Sequence, residues 1–311
     1  MNPTALSLPI WSAAPTPLHN DGSLDRESVE RLMEHQIANG VTGVFIGGTS
    51  GEGPWLPRRV LRELADATVK AAAGRIPVAL QITDNSAERM IELLDELAGL
   101  RFDYAVIAPP FFQSDASQSF LAKLYERVIE YAPCPVGLYH RGPYSSVKVE
   151  AATLAEIAAH PKVKLLKDSS GSAADRDCFF AARERRPAGE LRVFNGDEFN
   201  CAAAATAGYD GMLLGGACFN APFARRILTL AAAGKREEAQ VEQEKLNQLM
   251  FQVFGGGDLH AWLGGQKEIL VQLRVFSTSQ LLLNYPLDDA TRQAIRRIVA
   301  EHRAELLPEF R

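Results

Sequence analysis

The sequence predicts an α/β protein, a (β/α)8 barrel of the TIM type with a C-terminal helical extension. Short apolar runs rich in Val, Ile, Leu and aromatic residues alternate with longer stretches at helical spacing, the pattern of a parallel sheet with crossover helices. Eight such runs occur within a chain of 311 residues, and a barrel of this kind takes about 250. Residues 215–311 hold no further strand pattern and read as helix. A doubly wound open sheet, which usually stops at five or six strands, ranks second.

The strand candidates are 8–12, 43–46, 77–82, 104–107, 136–139, 163–167, 192–195 and 211–214. Between the early ones, 25–39, 57–73 and 86–99 place apolar residues at helical spacing. Beyond the eighth, 221–233, 235–254, 265–275 and 288–307 are rich in Ala, Leu, Glu and Gln, with Gly255, Gly256, Gly257 and Pro286 as punctuation. The triple glycine is read as a helix-ending loop rather than a phosphate cradle, because no strand precedes it and no Lys-Ser/Thr follows. The expected division is 1–222 for the barrel core and 223–311 for the last barrel helix and the extension packed on it.

Composition narrows the function class. With 47% hydrophobic and 23% charged residues the chain is neither disordered nor collagenous. A net charge of -5 argues against a nucleic-acid partner, which needs clustered Lys and Arg. Cys134, Cys178, Cys201 and Cys218 form no C-x-x-C pair and are expected reduced in the core. Pro3, Pro9, Pro15 and Pro17 interrupt the N-terminus, no basic start precedes an apolar run there, and no stretch approaches the roughly 20 apolar residues of a spanning helix. The expectation is a soluble cytoplasmic protein with no membrane partner.

In such barrels the reacting groups sit at the C-terminal ends of strands, where the βα loops build the mouth. Those ends carry Gly47-Gly48-Thr49-Ser50-Gly51-Glu52, Tyr139, Lys167 and Gly196-Asp197-Glu198. Alternation puts Val163, Leu165 and Lys167 on one face, so a lysine would point into the barrel. There, desolvation would lower its pKa and free the amine to attack a carbonyl carbon. The other reading is a lysine that reaches solvent or pairs with Asp168. The glycine loop offers amides and the hydroxyls of Thr49 and Ser50 to a carboxylate or phosphate, or else is a tight turn with Ser50 capping a helix. Tyr139 is placed to take and return a proton, or is a structural tyrosine bonded to backbone. Arg141 suits a bidentate carboxylate contact or a surface loop. His140 reads as a loop residue, and Phe111 and Phe112 as pocket lining or a subunit contact. Glu52 reads as a structural carboxylate favoured by the dipole of the following helix. No histidine spacing such as H-E-x-x-H supports a metal site.

Taken in order, these residues resemble the dihydrodipicolinate synthase and N-acetylneuraminate lyase superfamily, class I lyases that form a Schiff base on a (β/α)8 barrel. The resemblance rests on Gly48-Thr49-Ser50-Gly51-Glu52, Tyr139, and Lys167-Asp168-Ser169-Ser170-Gly171 in that order, and spans most of the chain. Phe194-Asn195-Gly196-Asp197-Glu198 looks like the strand-seven segment that meets substrate hydroxyls in the sugar-cleaving branches, and Gly211 with Ala221-Pro222 fits the eighth-strand region. The resemblance implies that Lys167 forms an imine with pyruvate or another 2-oxo acid. It further implies that Thr49 and Ser50 hold the C1 carboxylate, that Tyr139 shuttles the proton, and that Gly48, Gly196, Asp197, Glu198, Gly211 and Arg141 line the substrate site. The lysine then supplies the covalent chemistry, no metal or organic cofactor is required, and the assembly is a homotetramer, a dimer of dimers. Two departures narrow the branch: Pro110-Phe111-Phe112 stands where the synthase carries a tyrosine pair, and Tyr144 stands where it carries an arginine. Tyr139-x-Arg141 is similar to the sugar-acid dehydratase branch. The expected activity is an aldolase or dehydratase of 2-keto-3-deoxy sugar acids, with 4-hydroxy-tetrahydrodipicolinate synthase and a non-catalytic 2-oxo-acid-binding barrel as alternatives.

Overall fold

Runs without polar alternation fold as strands with no solvated face, because a parallel sheet closed on itself is filled within and covered by helices without. The computed structural model describes residues 8–283, 285 and 287–307; Pro3 and Pro286, read above as breaks, lie outside them. The strands β1 Ile10–Ala13, β2 Gly43–Ile46, β3 Val78–Gln81, β4 Tyr104–Ile107, β5 Val136–His140, β6 Val163–Asp168, β7 Arg192–Asn195 and β8 Gly211–Leu214 close in sequence order, with β8 paired to β1. All pair in parallel, each close to its expected position.

The outer layer is α1 Arg26–Ala38, α2 Arg58–Ala72, α3 Ala87–Glu96, α4 Gln118–Tyr131, α5 Ala151–Ile157, α6 Ala173–Glu184, α7 Cys201–Ala207 and α8 Ala217–Ala232. Side chains of Asp25, Ser86, Ser117 and Ser172 accept a first-turn N–H at the starts of α1, α3, α4 and α6, which fixes where those helices begin. The extension comprises α9 Arg236–Val253, α10 Trp262–Gln272, α11 Asp289–Glu301 and α12 Arg303–Leu306. One helix expected over 288–307 divides at His302 into α11 and α12. α8 starts before 221 and passes the 222/223 position unbroken, with Pro222 inside it. After α9 the chain turns at Gly255 and Gly256, whose φ values of 85° and 122° suit glycine alone, as expected of a helix-ending loop. The four cysteines are free, Cys201 and Cys218 buried among the apolar residues. Among the described residues no helix is long and apolar enough to cross a membrane.

The barrel interior holds Trp11, Phe45, Val106, Leu165, Phe194 and Leu213, and a larger cluster fills the space between strands and helices. Trp11 and Phe194 meet edge to face at 5.5 Å. Glycine makes room for them: a Cβ on Gly43 would lie 2.3 Å from the Trp11 indole, and one on Gly211 would lie 2.8 Å from the Phe194 ring. Gly211 opens β8, away from the C-terminal mouth, so its part is packing and not the substrate contact that the resemblance implied.

The expected alternation along β6 also needs correction. Val136 pairs with Val163 but Gly137 pairs with Leu165, so β6 carries one extra residue there. Val163 therefore packs in the outer cluster, while Leu165 lies inside. Lys164, at the bulge, reaches Glu190 at 2.9 Å. Beyond the bulge the period of two resumes, and Lys167 shares the inward phase of Leu165.

Candidate active site

Lys167 is the penultimate residue of β6, paired with Tyr139 on β5 and Phe194 on β7. It is only 6% exposed, which excludes the solvent-reaching alternative. Its Nζ lies 4.4 Å from the centroid of the Tyr139 ring and 5.5 Å from that of Phe45. Burial pulls the ammonium pKa below the ordinary lysine value, although the neighbouring Tyr139 and Glu198 oppose the shift. Pairing with Asp168 is excluded too. That carboxylate accepts from the Ser170 N–H at 3.0 Å, the Ser170 hydroxyl at 2.7 Å and the Tyr209 hydroxyl at 2.8 Å.

Gly196 gives the lysine its clearance. A Cβ there would stand 2.9 Å from Lys167 Cε and 2.0 Å from Ser169 Oγ. Its N–H donates to the Asp168 carbonyl at 2.6 Å, so its backbone is tied to β6. Beside the lysine, Tyr139 is 7% exposed. Burial pushes the phenol pKa up, but the positive charges of Lys167 and Arg141 and hydrogen bonds with Thr49 and Ser169 outweigh it, leaving the phenol below its ordinary range. The site thus holds an amine with a weakened hold on its proton beside a phenol more easily ionised than usual.

The loop after β2 folds back on itself. Gly47 has φ 64°, and a Cβ on Gly53 would fall 1.7 Å from the Gly47 carbonyl oxygen. Glu52 and Gly53 donate to the carbonyls of Thr49 and Gly48, while Gly48 lies against Phe45, whose ring a Cβ would approach to 2.6 Å. The turn therefore presents Thr49 toward Tyr139 and buries Ser50, 5% exposed, beside Gly215. Ser50 caps no helix: the 3-10 turn Gly53–Trp55 has Glu52 at its cap position and α2 has Pro57. The Glu52 side chain makes no cap hydrogen bond to the turn that follows it. Glu52 sits at φ 56°, fully buried, with Oε1 2.5 Å from Lys267 Nζ.

In the segment after β7 the two carboxylates diverge. Asp197 caps the 3-10 turn Glu198–Asn200, accepting from the Phe199 N–H at 3.0 Å and from the Asn200 amide at 2.7 Å. Its carboxylate is engaged in the turn. Glu198 turns inward, accepts the Gly216 N–H and is 8% exposed; burial raises its pKa to about 7. Arg141 follows β5 and lies close enough for its charge to act on both Tyr139 and Lys167. His140 is the last residue of β5, not a loop residue, and its Nε2 meets Asp175 Oδ2 at 2.8 Å on the helix side. Phe111 and Phe112 hang from Asn85, whose Oδ1 accepts both N–H groups, and Phe112 is 70% exposed.

The structure brings together Lys167, Tyr139, Thr49, Ser50, Arg141, Gly196 and Glu198, leaves Asp197 in a capping role and leaves Gly211 in the packing. It adds Ser169, two residues beyond Lys167, just past the end of β6 and bonded to the phenol, which a period of two carried one residue past the strand had the means to find. It also adds three buried supports from the extension that no local signal marks: Gln243, donating to the Glu198 carbonyl at 3.1 Å, Gln266, donating to the Gly215 carbonyl at 2.6 Å, and Lys267.

Comparison with known proteins bears on the family and the fold. The chain is 29% identical over 232 residues to a 4-hydroxy-tetrahydrodipicolinate synthase of Stenotrophomonas maltophilia, covering 74% of this chain and 76% of that one. It superposes on the dihydrodipicolinate synthase of Bacteroides thetaiotaomicron with a TM-score of 0.83 at 28% identity, over 96% of this chain and 99% of the other. A prophage protein of the dihydrodipicolinic acid synthase family from E. coli K12, solved in complex with pyruvate, shares the fold with a TM-score of 0.83 at 21% identity, over 96% of this chain and 99% of that one. The model of the dihydrodipicolinate synthetase family matches residues 7–265, most of the chain, and the protein belongs to that family.

Proposed function

We propose that the protein is a class I lyase that forms a Schiff base through Lys167 and acts, as an aldolase or dehydratase, on 2-oxo acids related to pyruvate such as 2-keto-3-deoxy sugar acids. The observation that carries this reading is the dry Lys167 amine 4.4 Å from the Tyr139 ring, with the Thr49 hydroxyl on the same phenol. The turn at Thr49 and Ser50 holds the C1 carboxylate and sets the C2 ketone beside Nζ. The neutral amine attacks C2, and the carbinolamine takes the proton of the Tyr139 hydroxyl and loses water, giving an iminium and leaving Tyr139 ionised beside it. In the cleavage direction, ionised Tyr139 takes the proton of the C4 hydroxyl as the C3–C4 bond breaks. That electron pair moves into the iminium to give an enamine, and the aldehyde leaves. Protonation at C3 and addition of water then release pyruvate and the free lysine. Arg141 supplies positive charge near the phenolate, and Glu198, half-protonated near neutrality, adds a polar contact for substrate hydroxyls.

Borohydride reduction in the presence of pyruvate adds a pyruvate-derived mass to the peptide containing Lys167, and Lys167→Met abolishes it while leaving the circular dichroism unchanged. Unmodified protein, or label on another lysine, sinks the reading. The names of the curated relatives favour a second reading, 4-hydroxy-tetrahydrodipicolinate synthase. Condensation of pyruvate with aspartate semialdehyde at a rate above that of 2-keto-3-deoxy acid cleavage decides for it. Adduct formation with no turnover of either substrate class leaves a non-catalytic 2-oxo-acid-binding barrel.

A further inference from the structure

We propose that Glu52 and Lys267 are positioning residues: their buried ion pair locks the Thr49-Ser50 turn to the C-terminal extension and so sets the affinity for the substrate carboxylate. This role rests on the Schiff-base reading above, and deepens it. Both side chains are fully buried, and the pair joins a βα loop near the start of the chain to a helix 215 residues away. Glu52 uses both oxygens, Oε1 for Lys267 Nζ and Oε2 for the Leu282 N–H at 2.7 Å. Lys267 also donates to the Gln280 carbonyl at 2.6 Å. The carboxylate thus ties the turn to two segments of the extension. Glu52 itself holds φ 56°, a left-handed conformation that a non-glycine residue keeps only where its surroundings determine it. Its N–H donates to Thr49 O and its neighbour Gly53 donates to Gly48 O, so displacement of Glu52 moves the residues that carry the anion-holding hydroxyls. Beside the pair, Gln266 Nε2 holds the Gly215 carbonyl at 2.6 Å, and Ser50 lies against Gly215. Two consecutive residues of α10 therefore grip the two loops between which Ser50 is buried.

A purely structural pair would be replaceable. Apolar residues of similar volume often match or exceed a buried ion pair in stability, whereas removing one partner strands a charge. The test compares wild type, Glu52→Gln, and the double variant Glu52→Leu with Lys267→Met, with melting temperature, pyruvate KM for adduct formation (the concentration that gives half-maximal trapping) and the borohydride-trapped yield at saturating pyruvate all measured. The expected result is a double variant that melts within a few degrees of wild type, reaches the wild-type adduct yield at saturation, yet needs at least tenfold more pyruvate to do so. Glu52→Gln, which keeps one acceptor for the Leu282 N–H, falls between the two. Wild-type KM in the folded double variant or in Glu52→Gln overturns the positioning role while leaving the Schiff-base reading intact. Failure of wild type itself to trap pyruvate overturns both. A double variant that does not fold leaves Glu52→Gln to decide on the same KM criterion.

Discussion

Among the described residues two lysines are buried, one in the barrel and one in the extension, and their surroundings differ. Lys267 is fully enclosed against the Glu52 carboxylate, whereas Lys167 keeps 6% of its surface open and faces rings and a phenol. In the proposed reaction it is the second that meets the ketone. The proton partner proposed for it is Tyr139, and Tyr139→Phe keeps the ring packing while removing the hydroxyl bonded by Thr49 and Ser169. We expect the adduct with pyruvate to persist while cleavage slows by about 10²–10⁴, read by comparing trapped yield with the rate of pyruvate release. Glu198 makes a separate prediction about stability. Its folded pKa of about 7 lies above the usual 4.5, so the folded state binds the extra proton between those values, and stability falls as pH rises from about 4.5 to 7. Glu198→Gln removes up to about 3 kcal/mol of that slope. Thermal melts of both proteins from pH 5 to 8 should converge at the acid end and diverge in slope toward neutrality; parallel curves would contradict it.

At the scale of the element, the phase of β6 decides what its lysine faces. The extra residue at Lys164 resets the alternation, so Val163 packs outside and Leu165 and Lys167 point inward. The neighbouring β7 end must then lack a side chain. Gly196→Ala places a methyl group 2.0 Å from Ser169 Oγ and 2.9 Å from Lys167 Cε. Such overpacking costs about 1–3 kcal/mol, and because it bears on the proposed nucleophile the rate of adduct formation should drop at least tenfold. Stopped-flow mixing with pyruvate measures it, and an unchanged rate would mean that the lysine has room to move aside.

Across the whole molecule, the extension supports the barrel mouth from one side. Gln243 reaches the β7 loop, Gln266 the β8 loop and Lys267 the β2 loop. Phe112 and Tyr144 project at 70% and 71% exposure from the loops after β4 and β5. Large aromatic groups left in water favour a covering surface. We propose a homotetramer built as a dimer of dimers, and light scattering in line with size exclusion should return a mass near four times 34.0 kDa. A monomeric mass at micromolar concentration would remove the proposal.

Strand positions and the order of the site motifs were legible in the sequence because each is written locally. A run buried on both faces is continuously apolar, a nucleophile sits at a strand end, and a turn that folds on itself needs glycine. Only the tertiary structure decided what depends on distant partners. The bulge opposite Val136 sets the phase of β6, the Phe194 ring explains Gly211, turn capping takes Asp197, and Lys267, 215 residues away, takes Glu52. Local periodicity reports which way a backbone faces. It carries no record of which side chain from the far end of the chain arrives there, because that is fixed when the barrel closes and the extension docks against it.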